Sequence, residues 1–482
     1  MIADQLAKWP IFKKFSTKIL TISPYILCLL LAILQLYYIC KYAVNVPFWD
    51  EWEFLNPDFL NTSLNWKWYF STHNEHRIFF TKIYTHILYM INGWDIKQQT
   101  ILNYFIFLLL VYILIRLARS TENKSLEFKM FPVYIVFFFS SLNFENHMWA
   151  FQNQIHFSLL FILLAIVFGF RFSNIHSANI FNTFLFSLCL LSAMFSFSAG
   201  LAMSFSLMVL FLVREWMIGR LISLRTSMVV LFMSLGFYFW FFYLTLPSTN
   251  GKSALSLVYP YTKMFWSYLM VLLAHGFGFD DSNYRHVGIL IFLLWVLAAT
   301  IFISNRKHWR NDLFFRWFSL SVVIMSALVS ISLGRAQMGF ASAYASRYTE
   351  FTIILIPSIA MMYWQILSDA KYMHMRRIFL SIYFVVLLLS YSNNFSDKIY
   401  LENFKIKQSG IQCLHDTGKK LFSKNNNSEI KNTFVNDHVF GNNHALGSTY
   451  SCIDIYPMAL NEKLLLAYKF RVSFTRSIDS FY

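Results

Sequence analysis

Acidic side chains crowd one short segment near the start of the chain. The sequence VNVPFWDEWEF, residues 44–54, contains Asp50, Glu51 and Glu53, whereas the whole chain of 482 residues has only 24 Asp and Glu. The segment directly follows the first long apolar run. Carboxylates in such a position either cap a short interfacial helix or take part in proton transfer at the membrane surface. They are therefore the first candidates for chemistry.

Polar side chains of mixed type also gather in three other segments between apolar runs, all on the side of the membrane that we assign to the outside. The simpler interpretations are an ion-pair network within a loop, or arginines that extend to lipid headgroups. A zinc site at His73 and His76 lacks a third ligand at a recognisable spacing, so we expect no metal site. The candidates are His73, Glu75, His76 and Arg77 in residues 71–80; Glu145, His147, Trp149, Gln152 and Gln154 in residues 143–154; and Arg335, Arg347 and Tyr348 in residues 334–351.

The composition indicates a protein with many membrane spans. Hydrophobic residues make up 57% of the chain and charged residues 13%, which is far from the composition of a soluble domain of this size. The formal net charge of +16 is spread between the apolar runs, as the positive-inside rule predicts for cytoplasmic loops. We therefore expect membrane lipids and no nucleic acid as partners. The chain has no Gly-rich phosphate loop or Walker motif, so we expect no ATP-driven pump and no cofactor.

Apolar runs and the Lys and Arg residues between them predict an all-α fold with about eleven spans and a cytoplasmic N-terminus. The membrane module would comprise residues 1–393, with a first external loop at 45–99, and residues 394–482 would form a small external region. Two less apolar stretches, 78–92 and 263–279, are predicted to be interfacial or re-entrant helices because polar groups interrupt them. The predicted spans are 19–44, 100–117, 131–143, 155–171, 179–195, 199–213, 228–246, 287–304, 314–334, 350–367 and 378–393.

The five cysteines divide between two environments. Three lie in apolar runs, where we expect inert thiols. Cys413 and Cys452 lie in the polar C-terminal stretch. If that stretch faces the outside of an inner membrane, these two cysteines can form a disulfide.

The arrangement resembles the GT-C superfamily of integral-membrane glycosyltransferases. That family carries an acidic pair in the first external loop, just beyond the first span, and WDEWEF, residues 49–54, stands in that place here. The resemblance covers the whole topology and implies a polyprenyl-phosphate sugar donor and a lipid-linked or polymeric glycan acceptor. A narrower similarity, in size and topology, is to the serotype-converting O-antigen glucosyltransferases. These use undecaprenyl-phosphate glucose in the periplasm, which implies a bacterial inner-membrane location.

The resemblance also implies a role for each candidate residue. Asp50 or Glu51 would act as general base on the acceptor hydroxyl, with Asp50 favoured because it adjoins Trp49 and the end of the first span. The chain lacks a DxD motif, and charge neutralisation by arginine would replace the work of a metal ion. The expected substrate contacts are Trp49 and Trp52 for sugar rings and Arg335 and Arg347 for the donor phosphate, beside the polar candidates named above.

Two other functions fit a polytopic protein of this kind. An O-antigen polymerase or ligase also works on undecaprenyl-linked glycans, but such proteins carry a large external loop with arginines in mid-chain, and residues 247–286 contain only Lys252, Lys263 and Arg285. A transporter or flippase for lipid-linked sugars would have charged or Gly/Pro-broken segments at the bilayer midplane and repeat symmetry. Neither feature is evident in the sequence.

Overall fold

The architecture is given by a computed structural model, which describes residues 10–61, 65–74, 76–118, 138–173, 180–219, 224–243, 257–278, 285–367, 374–375, 378, 396–423, 455 and 460–476. The longer helices among these residues are α1 (Pro10–Tyr42), α2 (Phe79–Asn92), α3 (Ile96–Ala118), α4 (Asn153–Ser173), α5 (Ile180–Met194), α6 (Ser198–Met217), α7 (Leu224–Tyr238), α8 (Lys263–His275), α9 (Arg285–Ser304), α10 (Asp312–Arg335), α11 (Ser346–Ile366), α12 (Lys398–Ser423) and α13 (Leu460–Lys469).

Eight helical stretches within the described residues are long and apolar enough to cross a membrane. They coincide with eight of the predicted spans, so the prediction of an all-α polytopic membrane protein is confirmed. The predicted span 378–393 lies outside the described residues except for position 378, and 131–143 lies outside them up to residue 137. The eight stretches are Tyr25–Tyr42, Ile96–Ala118, Ala150–Arg171, Ser198–Met217, Leu224–Phe241, Arg285–Ser304, Asp312–Met338 and Ser346–Ile366.

Helices α5 and α6 form the predicted hairpin across a very short turn. Helix α5 has 15 residues, which makes it about 22 Å long and shorter than a typical bilayer core. Gly200 is required near the start of α6, because a Cβ atom there would lie 2.0 Å from the carbonyl oxygen of Ala193. The close approach of the two backbones therefore fixes the turn.

The two stretches predicted to be interfacial or re-entrant form short helices. Helices α2 and α8 have 14 and 13 residues, or about 20 Å of helix, which is too short to span. Helix α2 buries Lys82 and His86 and exposes Ile87, Met90 and Ile91. A helix with its polar face inward and its apolar face outward is suited to lie against lipid.

The first loop and the C-terminal segments share one apolar core outside the main helix bundle. This second core includes Trp52, Phe54 and Phe59 of the loop together with Leu464 and Phe474 of the C-terminal segments. Two long-range hydrogen bonds join the same parts, since Lys463 donates to the carbonyl of Leu55 at 2.7 Å and Asn45 donates to Ser473 at 2.8 Å. The first loop and residues 460–476 therefore lie on the same face of the bundle.

Cys413 lies on α12, next to Leu414 of this second core, and is disulfide-bonded. Cys28, Cys40 and Cys189 are free thiols. Cys452, the partner predicted for Cys413, lies outside the described residues.

Candidate functional site

The acidic segment forms a 3-10 helix, Trp49–Phe54, at the edge of the bundle. Trp49 has a φ of 50°, a left-handed conformation that is strained for a bulky residue. Its N–H donates to the carbonyl of Ile455 at 2.8 Å, which holds the strained residue in place. A 3-10 helix has three residues per turn, so Asp50 and Glu53 project from the same side while Glu51 points elsewhere.

Glu51 is a buried structural residue in this arrangement. Its side chain is 1% exposed, and its two carboxylate oxygens accept the backbone N–H groups of Phe48 at 2.8 Å and Phe151 at 2.9 Å. Lys407 is equally buried and donates to the carbonyl of Met148 at 2.5 Å. Burial raises the pKa of Glu51 and lowers that of Lys407, and the opposite charge of each counteracts the shift of the other. Glu51 thus joins the first loop to residues 148–151.

Asp50 is the accessible member of the acidic pair. Its side chain is 34% exposed, and its Oδ2 lies 3.8 Å from Nε2 of His73. The other ring nitrogen of His73, Nδ1, lies 3.2 Å from a carboxylate oxygen of Glu53. Burial alone would raise the pKa of Asp50, but His73, Arg347 and His76 together hold that pKa below its ordinary value. Asp50 therefore remains a carboxylate at neutral pH.

A tight turn presents the two histidines to this carboxylate. His73 and His76 exchange backbone hydrogen bonds of 2.8 and 2.9 Å, and Asn74 between them adopts a φ of 51°, which asparagine tolerates better than most residues. Glu75 lies outside the described residues. Arg77, although predicted for the site, is 1% exposed and donates to the carbonyls of Phe70 and Trp240, so its contacts hold the turn against the bundle.

Arg347 also acts on Asp50, since its positive charge helps to lower the pKa of that carboxyl group. Its backbone N–H and its Nη1 donate to the same carboxylate oxygen of Glu145, at 3.2 and 3.3 Å. The guanidinium also lies 5.8 Å from the centre of the Trp149 ring and 5.1 Å from that of Tyr348, both within the range of cation–π attraction. The side chain of Arg347 stays 31% exposed. It is therefore a held but accessible cation.

Arg335 completes the group of cations at this face. The residue ends α10 and is half-buried, and its Nη2 lies 3.4 Å from Nε2 of His76. His76 and Arg347 both contribute positive charge near Asp50. The structure therefore brings together the first loop, residues 143–149 and residues 335–348.

Several other predicted residues lie in the core. Trp52 is fully buried against Phe474, so it is not accessible to a sugar, whereas Trp49 is 48% exposed. His147 packs with its ring centre 4.5 Å from that of Phe107, and burial lowers its pKa. Gln152, Gln154, Trp149 and Tyr348 are also buried, as are His73 and His76 beside Asp50.

Three residues of the site receive no specific role in the sequence analysis: Glu53, one of the three clustered carboxylates, and Trp68 and Lys82. Glu53 joins it because residues i and i+3 of a 3-10 helix share a face, a signal available only once that helix type is recognised. Trp68 and Lys82 line a cavity beside Glu53 and His73. Burial lowers the pKa of Lys82 to about 7. Nothing in the spacing of these residues indicates the cavity, because it forms between the 3-10 helix and α2.

A cation could be held at the same place. One ligand atom each of Asp50, Glu53 and His73 lies within 4.8 Å of the others, and these are donor types that Zn²⁺ accepts. The ring of His73 itself contacts both carboxylates, at 3.8 Å from Asp50 and 3.2 Å from Glu53. The geometry thus accommodates either a metal ion or a direct contact of the imidazole with the two carboxylates.

Comparison with protein families, with curated proteins and with solved structures finds no match for this chain. The function must therefore be inferred from the site itself.

Proposed function

We propose that the protein is a glycosyltransferase that moves a sugar from a polyprenyl-phosphate carrier to a glycan acceptor. The observation that carries this proposal is the environment of Asp50, an accessible carboxylate that lies 3.8 Å from His73 and is influenced by the positive charge of Arg347. A base beside a guanidinium at the rim of a membrane bundle provides the two functions that such a transfer needs.

In the proposed reaction Asp50 acts on the acceptor and the two arginines act on the donor. The carboxylate accepts the proton of an acceptor hydroxyl while that oxygen bonds to the anomeric carbon of the donor sugar. The bond from the same carbon to the phosphate oxygen breaks, and the electron pair leaves with the polyprenyl phosphate. Arg347 and Arg335 stabilise the negative charge that grows on this leaving group. His73, fixed by Glu53 at 3.2 Å, orients the base.

The ion pair of Arg347 with Glu145 fits this role. Glu145 holds the guanidinium from one side, and 31% of the arginine side chain remains exposed. A bound phosphate would contact the guanidinium that Glu145 already holds in place. Phosphate binding would therefore not have to order a mobile arginine side chain. Such preorganisation lowers the entropic cost of binding.

The proposed setting is a bacterial inner membrane with the site on the periplasmic side. The N-terminus would be cytoplasmic, and the C-terminal region, which shares a core with the first loop, would be periplasmic. Undecaprenyl-phosphate glucose is the proposed donor, and lipid-linked O-antigen is the proposed acceptor. The proposed catalytic step uses no metal ion.

The test is expression in a strain with defined lipopolysaccharide, followed by mass analysis of the O-antigen against a strain with an empty vector. An added hexose per repeat supports the proposal. Altered chain length without a new sugar would favour the polymerase, and an unchanged O-antigen in cells that contain folded protein would count against the transferase.

One observation favours a transporter as the second candidate. Glu350 of α11 and His156 of α4 are both fully buried, with 3.2 Å between Oε2 and Nε2, and buried ionisable pairs within spans often mark ion pathways. Glu350 nevertheless lies only four residues into its helix, about 6 Å from its start and far from the midplane. Transport of lipid-linked sugar into vesicles with no hexose transfer would support this candidate.

A further inference from the structure

A cavity of about 160 Å³ opens beside the catalytic carboxylate, between the 3-10 helix and the segment that precedes α2. Its walls combine an indole ring with short polar side chains: Glu53, Asn56, Trp68, Ser71, Thr72 and His73. An apolar cavity of about 150 Å³ is known to hold one benzene molecule. The space is therefore suited to a single six-membered ring.

The chemistry of the walls matches a neutral sugar ring. Binding sites for small molecules typically pair an apolar or aromatic surface with a few well-placed polar groups. Trp68 is the indole residue of the lining, with Nζ of Lys82 5.0 Å from its ring centre, while Glu53 and Thr72 supply a hydrogen-bond acceptor and a hydroxyl. The cation in the wall, Lys82, donates to the carbonyls of Trp68 and Ser71 at 2.8 Å and to the hydroxyl of Ser71 at 2.7 Å. Because its three donors have partners, Lys82 shapes the cavity and is not a phosphate ligand.

One polar atom remains without a hydrogen bond at the end of the cavity nearest Asp50. His73 is 7% exposed, and its Nε2 makes no hydrogen bond and faces Asp50 at 3.8 Å. A hydroxyl group of a bound ring could bridge the imidazole and the carboxylate from one side, within hydrogen-bond distance of both. Such a hydroxyl would lie next to the base that must accept its proton.

The cavity and the two arginines are separate features near Asp50. Neither Arg335 nor Arg347 lines the cavity, while Arg347 acts electrostatically on Asp50. The donor phosphate and the ring in the cavity would then occupy separate places near the base. A transferase needs separate places for its two substrates.

We propose that this cavity binds one neutral hexopyranose ring of the glycan acceptor and presents its hydroxyl to Asp50. The inference rests on the proposed transferase function. It assigns Trp68, Thr72 and Glu53 as acceptor contacts and His73 as a positioning residue.

Saturation-transfer difference NMR on the purified full chain in lipid nanodiscs tests the site directly. The probes are the methyl glycosides of glucose, galactose, mannose and rhamnose, measured with EDTA so that a cation at Asp50 and His73 does not contribute. Thr72→Trp fills the cavity, and Glu53→Gln removes a charge without adding bulk. Lys67→Trp is the matched control, because Lys67 is exposed on the same short helix as Trp68 and does not line the cavity.

We expect at least one glycoside to give a signal with the unmodified protein and with Lys67→Trp, and binding weakened about tenfold or more in Thr72→Trp. Glu53→Gln, which preserves the volume, should weaken the same glycoside if Thr72→Trp fails to fold. Absence of any signal with the unmodified protein, or equal signals in all four proteins, would overturn the acceptor site. If hexose is added to O-antigen in cells while all four proteins give equal NMR signals, the acceptor site in the cavity is refuted and the transferase function is not. If the glycoside signal depends on the cavity residues but no hexose is transferred in cells, the transferase function is refuted and the sugar-binding cavity is not.

Discussion

Asp50 and Glu51 are neighbours with opposite expected roles, and amide substitution at each position separates them. Asp50→Asn and Glu51→Gln both keep the side-chain shape and remove a negative charge. Asp58→Asn is the matched control, because Asp58 is an exposed carboxylate of the same loop. We expect Asp50→Asn to lose catalysis and keep stability. Glu51→Gln should lose stability first.

The contacts of each carboxylate determine the magnitudes. In Glu51→Gln the new amide nitrogen must face one of two buried backbone N–H groups, which the carboxylate accepts at 2.8 and 2.9 Å, and an unpaired buried donor costs about 1–3 kcal/mol. Loss of the negative charge near buried Lys407 adds to that cost. Asp50 is 34% exposed and 3.8 Å from its nearest cationic partner, a pair worth about 1 kcal/mol at most. Loss of a general base lowers turnover by about a hundredfold or more, or about 2.7 kcal/mol of activation free energy.

Thermal unfolding of purified protein and hexose transfer per folded molecule measure the two effects separately. Glu51→Gln should lower the Tm by a few °C, whereas Asp50→Asn and Asp58→Asn should unfold close to the unmodified protein. Only Asp50→Asn should abolish transfer at normal Tm. Near-normal turnover in Asp50→Asn, or an unchanged Tm in Glu51→Gln, would refute the assignment of these roles.

The other predictions concern the side chains around this pair. Arg347→Lys should reduce kcat/KM for the lipid donor by an amount equal to about 1–3 kcal/mol, while Arg310→Lys at an exposed position should not; equal values would move the phosphate site elsewhere. His73→Gln removes a charge that lowers the pKa of Asp50. Because the base works only when deprotonated, activity falls as pH drops through that pKa, and the acid limb of the pH–rate profile should move to higher pH; an unmoved limb contradicts the coupling. Lys82→Met removes three hydrogen bonds from the cavity wall. We expect a loss of about 1–3 kcal/mol of stability or more, seen as a lower Tm; an unchanged Tm would show that the wall does not depend on these hydrogen bonds.

The membrane character and most of the helices follow from the amino-acid sequence alone. Long apolar runs must satisfy their backbone groups internally in lipid, so their lengths and the charges between them are enough to locate spans. The same logic located the hairpin of α5 and α6 and the short helices α2 and α8, where polar groups such as Lys82 and His86 interrupt the run. The acidic segment at 49–54, the polar loop near Glu145 and the arginines at the end of α10 and the start of α11 were also recognisable, because charged groups are rare in this composition.

Which of these residues can meet a substrate depends on how the chain packs. Asp50 and Glu51 are adjacent in sequence, but the turn directs one toward solvent and the other toward Phe151, a hundred residues away. Trp52 points into a core completed by Phe474, and the cavity beside Glu53 exists only where α2 packs beneath the loop. The physical reason is that burial and electrostatic environment depend on what packs across a residue from distant parts of the chain. Spacing along the sequence carries no record of those contacts.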